Sequence, residues 1–406
     1  MIVSIFADSK FITDGKGNFH TSSNMRKAML YPIAKRFDKL IIVCRLRQTD
    51  LGHIAHEDLI NHPKIEFVGL PYFRGIIGST LSKRKLLRHI TPAVEKADVC
   101  VLRFPSNIAC LASPFVQSMR RPSIGHVLGE IDMEIRENPS LIPVPLLRHL
   151  IASWILHVNQ RAFQACDILC GVTANAAQSY AQPGRPLHQL VDSCLSPESY
   201  SPPPQRKGKK VRAIFAGRLI EFKNVQSFLR AAAQLKKESI DIHTILIGEG
   251  VFKPQLVELT RNLGLDQHVE FIGRVESRQL LWQKYRSADI GFMLSLSEGL
   301  PLGAIEPMSV GLPLIASDLD FMKPIITDGI EGFLVNPKNI NEIADRLKIL
   351  TTDVQTRYKM GMAAFERSQM FSAESQADKL LALAAELTKS KSVKAVDPER
   401  ITGQSP

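Results

Sequence analysis

The chain has 406 residues, more than one hydrophobic core usually serves, so two domains are expected. Hydrophobic residues make up 45% and charged residues 22%, which is the balance of a soluble globular protein. The formal net charge is +11, and the cluster Lys83-Arg84-Lys85 with Arg88 suits nucleic acid, an anionic membrane, an anionic substrate or a solvated face. No uninterrupted apolar run is long enough to predict a membrane span, and a cytoplasmic protein is expected.

Short apolar runs alternate with helical patterns in both halves of the chain. Strands separated by helices of this length favour βαβ units and parallel sheets. Strands are predicted at 3–7, 40–44, 65–68, 99–102, 124–128 and 168–171, then at 211–216, 244–247, 269–272, 289–294, 314–316 and 332–335. The fold class is therefore α/β, with two domains that each resemble a mononucleotide-binding unit.

A run rich in Pro, Ser, Gly and charge interrupts this pattern at 196–208, as an interdomain linker would. The first domain is placed at 1–200 and the second at 205–370. A long amphipathic helix at 371–388 needs a surface on which to dock. The polar tail at 389–406 is expected to be disordered.

Two glutamates eight positions apart, Glu298 and Glu306, bracket a Gly- and Pro-rich turn that follows an apolar strand. A strand, such a turn and a helix N-terminus bring backbone N–H groups together at the carboxyl edge of a parallel sheet, where a phosphate binds. The flanking carboxylates could bond sugar hydroxyls, which suggests a sugar nucleotide. Because Pro307 is comfortable only in a first helical turn, the helix should start near Gly303 or be kinked at Pro307.

The segment 217–224 also follows a buried strand and precedes a helix. Arg218 and Lys223 can reach the crevice at the end of that strand, where two cations suit a diphosphate and could replace a divalent metal. A solvated loop with two ordinary basic residues is the alternative. Asn224 is placed to cap the following helix.

The first domain carries further candidates. Gly15 and Gly17 lie in a loop after the first strand that could bind an anion or be a surface turn. His126 ends a strand and could contact a donor sugar or be a buried structural histidine. One of four carboxylates after it could bind an acceptor: Glu130, Asp132, Glu134 or Glu137.

Several signatures are missing from the sequence, including G-x-x-x-x-G-K-[ST], H-E-x-x-H and G-x-S-x-G. His20 stands at the third glycine position of a dinucleotide fingerprint, so a dehydrogenase is the least expected enzyme. The triplet Asp318-Leu319-Asp320 is interpreted as a turn or helix cap rather than as a metal site. The six scattered cysteines are expected to be reduced and mostly buried.

The order and spacing of the motifs in the second half resemble a family 4 glycosyltransferase of GT-B fold. The motifs that carry the resemblance are Gly217-Arg218 with Lys223, Ile247-Gly248-Glu249-Gly250, Phe271-Ile272-Gly273-Arg274-Val275, Ala288-Asp289, Glu298 with Glu306, Gly311-Leu312-Pro313 and the run 328–335. Pro307 and Asn224 stand where alanine and glycine are commoner. The first half matches only in outline.

The resemblance implies two Rossmann-like domains facing across a crevice, the first for the acceptor and the second for a nucleotide-sugar donor. It also implies that the terminal helix crosses back to the first domain. Arg218 and Lys223 would hold the diphosphate, Glu298 would contact the sugar, and Glu306 would bind the ribose. Further donor contacts would come from Val275 near the base, the backbone of Gly299, Leu300, Pro301 and Leu302, and the loop at Gly15 and Gly17. His126 resembles the family's strand-end histidine, so the candidate catalytic residues are Glu298, Arg218, Lys223 and His126.

The expected function is retaining transfer of a sugar from a UDP- or GDP-linked donor to a glycan or lipid-linked acceptor, in cell-surface polysaccharide biosynthesis. No metal or other cofactor would be required. An anionic membrane at the inner face is a further expected partner, through the basic cluster and the apolar stretch 146–158; nucleic acid is not. The alternatives are a sugar-nucleotide epimerase of the same fold and a non-catalytic sugar-nucleotide-binding protein.

Overall fold

The computed structural model describes residues 1–21, 25–52, 59–71, 82–129, 144–173, 175–193, 195–203, 210–275 and 277–395. The chain divides into two compact units, the first formed by Met1–Cys194 with Ala373–Pro406 and the second by Leu195–Ser372. The four acidic candidates at 130–137 and part of the predicted linker lie outside the described residues.

The first unit is built on a sheet that is parallel except at one short strand. Its strands are β1 (Ile2–Thr13), β2 (Phe19–His20), β3 (Lys39–Gln48), β4 (Ile65–Leu70), β5 (Val99–Phe104), β6 (Ser123–Val127), β7 (Ile168–Gly171) and β8 (Leu187–Gln189). They pair in the order β4-β3-β1-β5-β6-β7-β8, and β2 pairs antiparallel with the end of β1. Buried strands of this kind are covered by helices on both faces.

Helices cover the two faces of this sheet. They are α1 (Lys27–Arg36), α2 (Lys83–Lys96), α3 (Asn107–Ser118), α4 (Pro145–Gln164) and the C-terminal helix (Ala373–Ala395). Alternate residues of β1 face opposite sides: Phe6 packs in a cluster with α2, α3 and α4, whereas Ile5 packs in one with α1 and the C-terminal helix. Arg36 of α1 fastens the C-terminal helix, because its guanidinium donates to Glu374 at 2.5 Å and to Asp378 at 2.6 and 2.9 Å.

The prediction of disorder from residue 389 onwards is wrong for 389–395, which continue the C-terminal helix. Gly and Pro are absent from this stretch, so the sequence contains no stop signal there. Residues 396–406 lie outside the described ranges.

The second unit is a doubly wound sheet. Its strands are β9 (Val211–Ala216), β10 (Ile242–Ile247), β11 (Val269–Gly273), β12 (Ile290–Met293), β13 (Leu314–Ser317) and β14 (Gly332–Val335). All neighbours are parallel, in the order β11-β10-β9-β12-β13-β14. This is the dinucleotide-fold order 3-2-1-4-5-6, whose strand order reverses between β9 and β12.

The helices of the second unit alternate with its strands. They are α5 (Val225–Lys237), α6 (Lys253–Asn262), α7 (Arg278–Arg286), α8 (Leu302–Ser309), α9 (Ile340–Thr352) and α10 (Val354–Ser368). Helix α8 begins one residue before the predicted Gly303, and Pro307 lies inside it. The Pro307 ring occupies space beside β12, since a Cβ on Gly291 would come within 3.0 Å of the Pro307 Cβ.

Asn224 is the N-cap residue of α5, as predicted, but its side chain accepts no capping hydrogen bond from the helix backbone. Asn224 has φ +54°, the left-handed conformation that glycine and asparagine tolerate best. Its side-chain amide donates instead to the carbonyl of Pro337 at 2.7 Å. Asparagine therefore serves here as the substitute for a glycine.

Candidate active site

Arg218, Lys223, Glu298 and Glu306 all follow the carboxyl ends of two paired strands of the second unit. Arg218 and Lys223 follow β9, and the two glutamates follow β12. These strands flank the point where the strand order reverses, which is where doubly wound sheets bind their ligands. The structure thus brings the two predicted loops to one edge of one sheet.

Glycines allow the loops at this edge to pack backbone against backbone. The N–H of Gly217 donates to Ile247 at 2.9 Å, and the N–H of Gly248 donates to Gly273 at 2.8 Å. Gly248 has φ +136°, and a Cβ at this position would lie 1.9 Å from the carbonyl oxygen of Gly217. Only glycine fits there, so Gly248 allows the loop after β10 to pack directly against the loop after β9.

Lys223 and Glu298 form an ion pair between the two loops. Their side chains are 12% and 9% exposed, so both charges are largely withdrawn from water. The N–H of Leu296 donates to the carbonyl of Phe222 at 2.9 Å and fastens the loops beside the pair. Arg218 is exposed at the end of β9. This edge therefore carries Lys223, whose charge is compensated by Glu298, and Arg218, which is exposed.

Glu306 is held by two residues of α7 that the sequence analysis missed. Arg278 Nη1 donates to Glu306 Oε1 at 2.8 Å, and the Tyr285 hydroxyl donates to Oε2 at 3.1 Å. Burial, and then the Glu306 carboxylate, raise the pKa of Tyr285 well above its ordinary value, so the phenol remains a donor. Arg278, Trp282 and Tyr285 share one face of α7, a helical spacing that could have indicated a common target.

The turn 299–302 offers fewer donors than the resemblance implies. Pro301 has no N–H, and the N–H of Leu302 donates to Leu300 within the turn at 2.9 Å. Gly299 and Leu300 are half-buried. Val275 follows β11 and is half-buried in the loop before α7.

The loop at Gly15 and Gly17 is a hairpin turn between β1 and β2, not a strand-to-helix turn. The Asp14 carboxylate accepts from the N–H groups of Lys16 and Asn18 at 2.7 and 3.2 Å. The N–H of Gly15 donates to the Thr13 hydroxyl at 3.1 Å. These amides are already satisfied, so this geometry favours the surface-turn interpretation over an anion site.

His126 is fully buried near the end of β6, which favours the structural interpretation over contact with a donor sugar. Its Nε2 lies 2.7 Å from the carbonyl oxygen of Leu190, and its Nδ1 lies 3.8 Å from Asp192. Asp192 in turn is paired with Arg103. The ring lines a cavity of about 30 Å³ inside the first unit, which residues of the C-terminal helix also line.

The remaining sequence predictions concern a turn and the cysteines. Asp318 and Asp320 are exposed and flank Lys323, at 3.8 and 3.1 Å from its Nζ. The five cysteines in the described ranges form no disulfide with one another and are buried or half-buried, and burial raises the pKa of Cys110 to about 12. Cys194 is not among the described residues.

One family model and several curated proteins match part of this chain. Residues 198–367 match the family model of the group 1 glycosyl transferases. The chain is 28% identical to a D-inositol 3-phosphate glycosyltransferase of Kribbella flavida over 246 residues, which cover 55% of this chain and 57% of that protein. The chain thus spans about half the length of the curated relatives it matches first.

Two solved structures resemble nearly the whole chain. One is HepE of Anabaena in complex with UDP and glucose, with a TM-score of 0.65 and 15% identity over 95% of this chain and 100% of that chain. The other is the apo form of WaaB, a lipopolysaccharide outer core galactosyltransferase, with a TM-score of 0.66 and 16% identity over 96% of this chain and 100% of that chain. At such identities the likeness establishes the fold.

The two parallel-sheet α/β units have the GT-B fold, which the similar solved structures share. The second unit contains a group 1 glycosyl transferase domain, which the family model matches over residues 198–367. Within the described residues, no helix combines the length and the apolarity needed to cross a bilayer.

Proposed function

We propose that the protein is a retaining, family 4 glycosyltransferase that moves a sugar from a UDP- or GDP-linked donor to a glycan or lipid-linked acceptor. The observation that supports this most is the ion pair of Lys223 and Glu298 at the strand-order reversal of the second unit. An exposed cation, Arg218, lies in the same loop as Lys223. Cations with a neighbouring carboxylate suit a diphosphate joined to a sugar.

In this proposal, each charged group acts on one part of the donor. Arg218 and Lys223 bind the diphosphate and stabilise the negative charge that develops on it as the bond to the sugar breaks. Glu298 accepts hydrogen bonds from the sugar hydroxyls, and Glu306 accepts them from the ribose. Val275 lies near the base. Two protein cations can supply the charge stabilisation, so we propose that no metal or cofactor is required.

Nucleotide release from a panel of UDP- and GDP-sugars, measured with and without EDTA, tests this function. Slow hydrolysis of one donor that is insensitive to EDTA is expected, together with an α-linked product from an α-linked donor once an acceptor is supplied. Epimerisation of the donor sugar would identify the epimerase, and binding without turnover would identify the non-catalytic protein. Lys348→Ala, at an exposed ion pair with Glu238, is a suitable control because it keeps the site intact.

We also propose that the first unit contacts an anionic membrane at its inner, cytoplasmic face. Leu146, Leu150 and Trp154 form a stripe on α4, with exposures of 72%, 60% and 51%. Helix α3 packs against both α4 and α2, and all three helices begin at the carboxyl edge of the same sheet. Exposed basic residues stand at the start of α2: Lys83, Arg84, Lys85 and Arg88. An apolar stripe beside basic side chains suits an anionic lipid surface.

This contact would bring a lipid-linked acceptor to the enzyme, as cell-surface polysaccharide biosynthesis requires. Flotation with vesicles should show binding that increases with the fraction of anionic lipid. The triple change of Leu146, Leu150 and Trp154 to Ser should abolish it, whereas Val251→Ser, at an 85% exposed position of the second unit, should not. Wild-type protein that fails to float with anionic vesicles would contradict the membrane proposal and leave the transferase proposal intact.

A further inference from the structure

One face of α7 carries two residues that bind the Glu306 carboxylate. Arg278 donates a hydrogen bond to one carboxylate oxygen at 2.8 Å, and Tyr285 donates one to the other oxygen at 3.1 Å. The Arg278 guanidinium lies 4.9 Å from the centroid of the Trp282 ring, which limits where it can move. Both oxygens of the carboxylate are therefore held by groups that are themselves fixed.

The surroundings make this arrangement stronger than a surface ion pair. The Glu306 side chain is 10% exposed and the Tyr285 ring is fully buried. Hydrogen bonds to an ionised group are stronger than those between neutral groups. Each carboxylate oxygen can accept more than one hydrogen bond, so Glu306 keeps acceptor capacity after binding Arg278 and Tyr285.

We infer that Arg278 is a positioning residue for the nucleotide: it holds the Glu306 carboxylate in the orientation that accepts hydrogen bonds from the ribose hydroxyls. This inference rests on the proposed function, in which Glu306 binds the ribose. Arg278 acts through Glu306, so removing Arg278 should mainly weaken recognition of the ribose hydroxyls. A lysine cannot replace it fully, because an ammonium lacks the planar fork that contacts both the carboxylate and the Trp282 ring.

The test compares UDP with 2′-deoxy-UDP, or GDP with 2′-deoxy-GDP if the guanine nucleotide binds more tightly. Wild-type protein should bind the ribonucleotide about tenfold more tightly, as expected for a hydrogen bond to a charged group. In Arg278→Ala this ratio should fall below about threefold, and Arg278→Lys should be intermediate. Lys284→Ala is the matched control, since Lys284 is on the same helix with its Nζ 3.9 Å from Glu270.

The ratio separates positioning from a general loss of structure, which would weaken both nucleotides equally. A folded Arg278→Ala protein with the wild-type ratio overturns the inference and leaves the proposed function standing. If Arg278→Ala does not fold, Arg278→Lys carries the test, and a wild-type ratio in that variant overturns the inference. Wild-type protein that binds neither UDP nor GDP overturns the proposed function and the inference with it.

Discussion

The Nζ of Lys223 contacts the carboxylate Oε1 of Glu298, although the two residues are 75 positions apart in the chain. Lys223 ends a short turn after β9, and Glu298 lies in the loop after β12. Each charge compensates the other, and both side chains are largely withdrawn from water. A donor diphosphate would enter a site whose cation is already positioned by its carboxylate partner.

Lys223→Ala should lower both activity and stability. Loss of a cation that stabilises the leaving diphosphate should lower kcat by about 100-fold or more. The uncompensated Glu298 should cost about 3 kcal/mol of unfolding free energy, because a nearly buried carboxylate is left without a partner. Turnover with the preferred donor and denaturant unfolding measure the two effects.

The double variant Lys223→Met with Glu298→Leu separates those effects. Removing both charges should recover most of the lost stability while transfer stays abolished, since apolar pairs often replace buried ion pairs without cost. Full transfer activity in Lys223→Ala, or in the double variant, would contradict the site assignment.

Gly248→Ala should destabilise the second unit far more than Gly264→Ala. Both glycines have positive φ, but the +65° of Gly264 lies in the left-handed region, where an alanine costs about 1 kcal/mol, whereas the +136° of Gly248 lies outside it and costs more. At Gly248 the new Cβ would also lie 1.9 Å from the Gly217 carbonyl, whereas Gly264 has no atom within 4 Å. We expect a loss of about 3 kcal/mol or more for Gly248→Ala by chemical denaturation. Equal losses in the two variants would show that the loops can separate without cost.

The strands were predictable because buried parallel strands are continuous apolar runs bounded by turns. The ranges 211–216 and 332–335 match β9 and β14 at both ends. Strand β1 instead extends from the predicted Ala7 to Thr13, because its pairing with β3 continues after a register shift through polar residues. The short strands β2 and β8 were not predicted, since two or three residues carry no periodicity.

The sequence predicted candidate residues for the site, but it did not predict the contacts between them. Motif spacing made Lys223 and Glu298 candidates, yet a sequence does not show that two loops after different strands meet as an ion pair. Arg278 was missed because its partner lies on another helix. The surroundings of His126 come from Leu190 and Asp192, in a segment after β8 without a recognisable pattern.

The low pKa of buried His126 should make the first unit less stable in mild acid than at neutral pH. Burial holds its pKa below the ordinary value of 6.5, although Asp192 opposes this effect and Arg103 adds to it. The unfolded chain therefore binds a proton below about pH 6.5 that the folded protein takes up only at lower pH, so stability falls as the pH is lowered through this window. His126→Asn should flatten that dependence.

Thermal unfolding at about pH 7.5 and about pH 5.5 measures this effect. The wild-type protein should lose about 1 kcal/mol more than His126→Asn on acidification. His157→Asn, an exposed position on α4, should behave as wild type. An identical acid response in wild type and His126→Asn would mean that this histidine is not the group that titrates.

The C-terminal helix should be required for the stability of the first unit, despite its distance in the chain. Ala377, Leu380, Ala384 and Leu387 are buried in the same core cluster as the strands of that unit, and Arg36 bonds Glu374 and Asp378 at its start. Truncation after Ser372 should expose this core and yield aggregated or proteolytically sensitive protein. Arg36→Ala should cost about 1 kcal/mol, since Asp378 is well exposed. Removal of 396–406 is the control and should leave the melting temperature unchanged; a stable, monodisperse protein truncated after Ser372 would show that the helix is dispensable.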